Sequence, residues 1–122
     1  MLELMQCWLR IFGDCDKSCQ EIKWVGMTKL KICGLKDYDS ANIAIESGAD
    51  FLGFVFVPGA RRCLEINHAK KIIEKLKIKH TDKLPNLVGL FANQTIGRVN
   101  KIVNNLNLDL AQLCGDETHE YV

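Results

Sequence analysis

Nowhere in the sequence do about 18 apolar residues run together, which excludes a helix that crosses a bilayer. A secretory signal is missing as well: Glu3 interrupts the start, and Arg10, Asp14, Asp16 and Lys17 follow the short apolar patch. A cytoplasmic protein is the expectation. Charge of one sign is also lacking, since 16 basic and 15 acidic side chains leave +1, and no global field draws the chain to nucleic acid or anionic lipid. The lysines between Lys70 and Lys83 are interleaved with apolar residues at helical steps and read as a solvated helix face. No candidate strand is followed by a Gly-x-Gly-x-x-Gly or Walker loop, which argues against a dinucleotide or nucleoside triphosphate site. With two prolines and no Pro/Gly/Ser-rich or low-complexity tract, no linker divides the chain.

Cysteine, by contrast, is plentiful, with six in 122 residues. Cys33, Cys63 and Cys114 lie in or beside strand-like segments rather than in a loop-rich scaffold, so reduced thiols are expected rather than a disulfide framework. The other three, Cys7, Cys15 and Cys19, fall with both tryptophans in residues 1–26, which show no clear period. Cys15-x-x-x-Cys19 lacks the third cysteine of a radical iron–sulfur motif, since position 22 is Ile22, so no metal is assigned. Residues 1–26 read as an extra segment outside the fold, with translation expected to begin at Met27.

From Met27 the pattern becomes regular. Leu30–Cys33 is a short strand ended by Gly34. Asp37 or Asp39 then caps a helix with Ala41, Ala44 and Ile45 on one side, and Gly48 closes it. Phe51–Val57 is apolar or glycine throughout, without polar alternation, so it predicts a strand covered on both faces. Pro58 and Gly59 stop it, and Arg61 and Arg62 follow in the loop. A second helix starts near Asn67, with Ile66, Ala69, Ile72, Ile73 and Leu76 at three- and four-residue steps, and Pro85 ends the connection. Leu87–Phe91 is a third strand. Thr95 caps a third helix running inward at Ile96, Val99, Ile102, Val103 and Leu106, and Leu108–Leu113 is a fourth strand. Gly115, Asp116 and Glu117 turn the chain toward another helix.

Strands alternating with helices and no hairpin signal imply right-handed crossovers and an α/β fold with a parallel sheet. Four strands fit either a small doubly wound sheet or half of an eight-stranded barrel, and periodicity does not choose between them. In both, a polar loop after a buried parallel strand is where binding sites sit.

Five ordered motifs narrow the choice. Lys31-Ile32-Cys33-Gly34, Gly48-Ala49-Asp50 leading into Leu52-Gly53-Phe54-Val55-Phe56, Arg62, Val88-Gly89-Leu90-Phe91 with Asn93, and Leu108 to Glu117 resemble, in order and spacing, the phosphoribosylanthranilate isomerase family. The resemblance implies the first four βα units of a (β/α)8 TIM barrel. It also implies an Amadori rearrangement, without metal or cofactor, of N-(5-phosphoribosyl)anthranilate to 1-(2-carboxyphenylamino)-1-deoxyribulose 5-phosphate in tryptophan biosynthesis. Cys33 matches the family's general base, at a strand end that faces a barrel's active site. Arg62 matches an arginine that holds the anthranilate carboxylate, for which a planar guanidinium is suited, and Gln112 would line the pocket.

Departures are Ala60 for serine, Arg61 for proline and Cys114 for histidine; no chemistry is assigned to Cys114. His68, His80 and His119 read as surface residues, and Asp50, before a strand's N-terminal end, as structural. The family's general acid lies on the sixth strand and its phosphate loops after the seventh and eighth, beyond the span of the resemblance. A truncated half-barrel, inactive by itself, that self-associates or pairs with a second barrel half is therefore the expectation. A non-catalytic interaction module and a flavodoxin-like phosphate binder are the rival readings.

Overall fold

The computed structural model describes residues 28–122, so the expectations for residues 1–26 lie outside the described residues. Four strands and three helices alternate: β1 (Lys31–Cys33), α1 (Tyr38–Glu46), β2 (Phe51–Val55), α2 (Ile66–Lys79), β3 (Asn86–Phe91), α3 (Ile96–Leu106) and β4 (Leu110–Leu113). A single 3₁₀ turn, His119–Tyr121, stands where the sequence pattern suggests the start of a further helix. The strands form one parallel sheet in the order β1-β2-β3-β4. A doubly wound sheet reverses its strand order at a switch point, and this sheet has none. The flavodoxin-like alternative is thereby overturned, and four consecutive βα units of a barrel remain.

Alternation along each strand separates two faces. Leu52 and Phe54 of β2, Leu87 and Phe91 of β3 and Ala111 of β4 are buried against Ala41 and Ala44 of α1, Ala69, Ile72, Ile73 and Leu76 of α2, and Val99, Ile102 and Leu106 of α3. Phe56 extends this layer, its ring stacked on Phe91 with centroids 5.6 Å apart. Each fully buried side chain of this size contributes about 1.5–3 kcal/mol. No polar or charged residue is buried among the described residues.

Helix starts follow the expected chemistry. Of the two candidate caps for α1, Asp37 is the one used: its carboxylate accepts from the Ser40 backbone N–H at 2.7 Å and from Ser40 Oγ at 2.9 Å. Gly48 lies just past the helix end at φ +87°, a conformation only glycine adopts at low cost. Thr95 caps α3 as expected. Strand bounds shift modestly: β2 ends at Val55 rather than Val57, although the Phe56 N–H still donates to Leu90 O at 2.9 Å. β1 starts at Lys31 and β4 at Leu110, since the Leu30 N–H is given to the Asp50 carboxylate and the Leu108 N–H to the Val103 carbonyl rather than to a strand ladder. Asp50 accepts from Leu30 N and Asp109 from Leu87 N, both at 2.7 Å. Asp50 thus has the structural role expected of it. His80 differs from its surface reading: it is half-buried, and its Nε2 is 2.8 Å from Asn42 Oδ1, joining α2 to α1.

Candidate active site at the mouth of the sheet

The face opposite the helices is concave and chemically different. Lys31 and Cys33 on β1, Gly53 on β2, Leu90 on β3 and Gln112 on β4 sit on it. Lys31, Cys33, Leu90 and Gln112 line a cavity of about 240 Å³. Lys31 Nζ donates a hydrogen bond to Gln112 Oε1 and spans the sheet from first strand to last. Cys33 and Gln112 are both half-buried, within reach of a small molecule without being lost in the core.

Two glycines make the arrangement possible. A Cβ on Gly53 would stand 2.8 Å from Cys33 Sγ and 3.1 Å from Lys31 Cε, so both side chains lie over the bare glycine. At Gly34, φ is +78°, and a Cβ there would meet Arg62 Cδ at 2.5 Å and Arg62 Nη1 at 3.0 Å. Arg62 therefore lies across the turn that leaves β1, next to Cys33, and of the two loop arginines it is the one brought to the end of β1. The Gly34 and Leu35 N–H groups donate to Gly53 O at 3.0 and 3.1 Å and fix that turn to β2.

Cys114 extends the same rim. Burial pushes its thiol pKa up, a hydrogen bond with the Gln112 side chain and the charge of Lys31 oppose the shift, and proximity to Cys33 and Glu117 adds to it.

Behind the rim, Glu117 clasps two loops with one carboxylate, accepting from Asn93 N at 2.7 Å and Gly115 N at 2.8 Å. Asn93 Oδ1 in turn accepts from Asp116 N at 2.9 Å, with Asn93 held at φ 52°. The positions of Asn93 and Glu117 in the motifs mark them, but nothing in the sequence reveals that they bond to each other. The same holds for Lys31 and Gln112, which stand 81 residues apart.

Other features fall outside this cluster. A cavity of about 600 Å³ lies on the helical side, lined by Phe56, Cys63, Leu64, Arg98 and Ile102 among others, and includes none of Cys33, Arg62 and Gln112. His68 and His119 are exposed, as their surface reading has it. Among the described residues no cluster of His, Cys, Asp and Glu could hold a metal ion, and no helix is long and apolar enough to cross a membrane.

A half-buried thiol at a strand end, a guanidinium across the adjoining turn and an amide in the thiol's cavity is a set that can take a proton from carbon while holding a carboxylate. The family model for N-(5'-phosphoribosyl)anthranilate (PRA) isomerase matches residues 30–122. The chain is similar to the N-(5'-phosphoribosyl)anthranilate isomerase of Dehalococcoides mccartyi, 44% identical over 95 residues that make up 78% of this chain and 42% of that protein. It is also similar to that of Wickerhamomyces anomalus, 34% identical over 122 residues, covering 76% of this chain and 53% of that one. A solved phosphoribosyl anthranilate isomerase in complex with reduced 1-(o-carboxyphenylamino)-1-deoxyribulose 5-phosphate superposes with a TM-score of 0.71 at 32% identity, covering 78% of this chain and 46% of that one. The chain spans about half the length of the relatives it matches.

Proposed function

The chain belongs to the N-(5'-phosphoribosyl)anthranilate isomerase family, and from that premise we propose that it carries the proton-abstracting half of that isomerase's site. Cys33 is the general base that removes the proton from the sugar C2, Arg62 holds the anthranilate carboxylate, and Gln112 lines the pocket beside Cys33. The observation that carries this reading is the convergence of Cys33 and Arg62 at Gly34, where the missing side chain leaves the guanidinium room beside the thiol's strand end.

In this reaction the ring-opened, N-protonated imine of the aminoaldose gives up its C2 proton to form an enolamine, which takes a proton at C1 and loses that of the C2 hydroxyl as it becomes the ketose. The base must reach carbon, and the substrate's aromatic carboxylate must be fixed so that C2 faces it. A carboxylate-bearing phosphorylated sugar is the matching substrate, and the relative described above holds such a molecule.

Along the described sheet, β1 and β4 each pair on one side only. Unpaired strand edges invite further strands. We propose that further βα units, supplied as a second barrel half, close the barrel there and bring the general acid and the phosphate anchor. Positioning energy from the phosphate end is spent at the reacting carbon, so the described half alone turns over poorly.

The test is turnover of phosphoribosylanthranilate by the chain, first alone and then mixed with the second half of the Dehalococcoides mccartyi relative, with particle size followed in parallel. A one-to-one complex with turnover well above either part supports the proposal. A stable complex without turnover would overturn the catalytic assignment, and a chain that remains monomeric in the mixture would overturn the pairing.

A further inference from the structure

Lys31 has no role in the reading so far, yet its surroundings are unusual. It lies two residues before Cys33 on β1, so both point to the same face, and both rest over Gly53. Its ammonium crosses the concave face to Gln112 Oε1, a neutral acceptor. Among the described residues it makes no ion pair; the salt bridges there are Lys29–Asp50 and Lys79–Glu46. The cavity it lines with Cys33, Leu90 and Gln112 contains no carboxylate. Its charge also reaches the Cys114 thiol just past the end of β4. A cation with no counter-ion among the described residues thus projects into the cavity that holds the candidate base.

We propose that Lys31 is a second cationic ligand of the site, one that draws the anionic group of a reactant, a carboxylate or a phosphate, into the cavity beside Cys33. This rests on the reading of that cavity as the reactant's site. The ammonium offers two N–H donors beyond the one given to Gln112, and the Gln112 amide, fixed through its oxygen, presents its NH₂ alongside. Together they form a donor pair for one anionic group. At the spacing of neighbours on one strand face, about 6–7 Å, a unit charge in a water-like medium changes the local concentration of a monoanion by about two- to threefold.

Alkylation reads this directly and needs no turnover. Iodoacetate is an anion and iodoacetamide its neutral counterpart; in both the thiolate sulfur displaces iodide from the CH₂ carbon, iodide leaves into solution, and the S–CH₂ adducts are assigned to each cysteine by peptide mass spectrometry. The ratio of the two rates at Cys33 is measured in the folded chain and in the chain unfolded in urea, at neutral pH. It is expected to be higher in the folded chain, to fall about two- to threefold in Lys31→Met, and to be retained in Lys31→Arg. At Cys63, away from this cavity, Lys31→Met leaves the ratio unchanged. Salt supplies a version that needs no variant: raising it from about 0.01 to about 1 M shortens the screening length from about 30 to about 3 Å and lowers the Cys33 ratio toward its unfolded value.

Protection of Cys33 from iodoacetate by added acetate but not by inorganic phosphate identifies the carboxylate as the group drawn in, and the converse identifies the phosphate. A Cys33 ratio equal in folded and unfolded chain, or insensitive to both salt and Lys31→Met, overturns the proposal. Loss of turnover in a Cys33 variant bears on the isomerase reading alone, so the two fail separately.

Discussion

The two faces of one four-stranded sheet obey different rules. On the helical face the two central strands are apolar and closed: Leu52, Phe54, Leu87 and Phe91 have at most 1% of their surface exposed, while Ile32 and Leu113 on the edge strands are half-buried. On the concave face the same strands present Lys31, Cys33, Gly53 and Gln112, half-buried apart from the glycine, which is covered by its neighbours' side chains. The first face is what folds the chain, and the second is what the fold holds in place. Side-chain volume is the currency of the one, and reach and charge of the other.

The sharpest way to break that division is to empty the helical face. Phe54→Ala or Phe91→Ala removes a ring from close packing and is expected to cost about 3–5 kcal/mol in urea unfolding. Either should abolish the cooperative transition or shift it far toward lower urea. If either variant instead unfolds like the parent and only Cys33 chemistry changes, the division is wrong.

Next in size is a change that crosses from one face to the other. Gly53→Ala adds a single methyl on the concave side, 2.8 Å from Cys33 Sγ, and the expected cost is about 1–3 kcal/mol because the β1 backbone must move. It should also alter the alkylation rate at Cys33 while leaving that at Cys63 unaffected. The contrasting glycine is Gly97 on α3, where a Cβ meets nothing within 4 Å. Gly97→Ala should stabilise the fold by about 1 kcal/mol through helix propensity and leave every thiol as it was.

A cap is worth less, and Thr95 does not line the cavity of Cys33. Thr95→Ala should lower stability by about 1 kcal/mol with no change in Cys33 reactivity.

The smallest effects are in pH dependence, and they have opposite signs at the two faces' ends. The Asp37 carboxyl is held below its ordinary value by the hydrogen bonds from Ser40. A lowered acid stabilises the fold above its unfolded value of 3.8 and loses that contribution as pH falls through the folded value. Thermal scans should therefore show an acid-side decline that Asp37→Asn flattens. The Cys114 thiol is raised, chiefly by burial, so its contribution is complete below the unfolded value of 9.0 and is lost as pH rises through the folded one. Its reaction with iodoacetamide should start at a higher pH than that of a free thiol. Gln112→Leu, which removes a hydrogen bond favouring the thiolate, should push it higher still.

Much of this was readable before the structure. The helical face is a matter of period: apolar residues at steps of three and four in α2 and α3, and unbroken apolar strands, suffice to order the elements. The strand ends are less legible. Leu30 and Leu108 look like strand residues, but the Leu30 N–H goes to the Asp50 carboxylate and the Leu108 N–H back to Val103 O, and such bonds leave no periodic trace. Between a doubly wound sheet and a barrel, the alternation of elements is silent, because both share it; spatial strand order decides. At the concave face, Cys33 and Arg62 stand out only through their motif partners. Lys31 stands in the first of those motifs without a role, since its pairing with Gln112 depends on the curvature of a whole sheet. The clasp of Asn93 and Glu117 is hidden for the same reason.

The most direct test of the central claim places this half in a complete barrel: residues 30–122 of this chain replace the matching half of the Dehalococcoides mccartyi relative, and turnover of phosphoribosylanthranilate is compared between this chimera and its Cys33→Ser form. The account predicts measurable isomerisation that falls by about 10²–10⁴ in the serine form, as removal of a general base should cause. A folded chimera whose turnover is untouched by Cys33→Ser would contradict it.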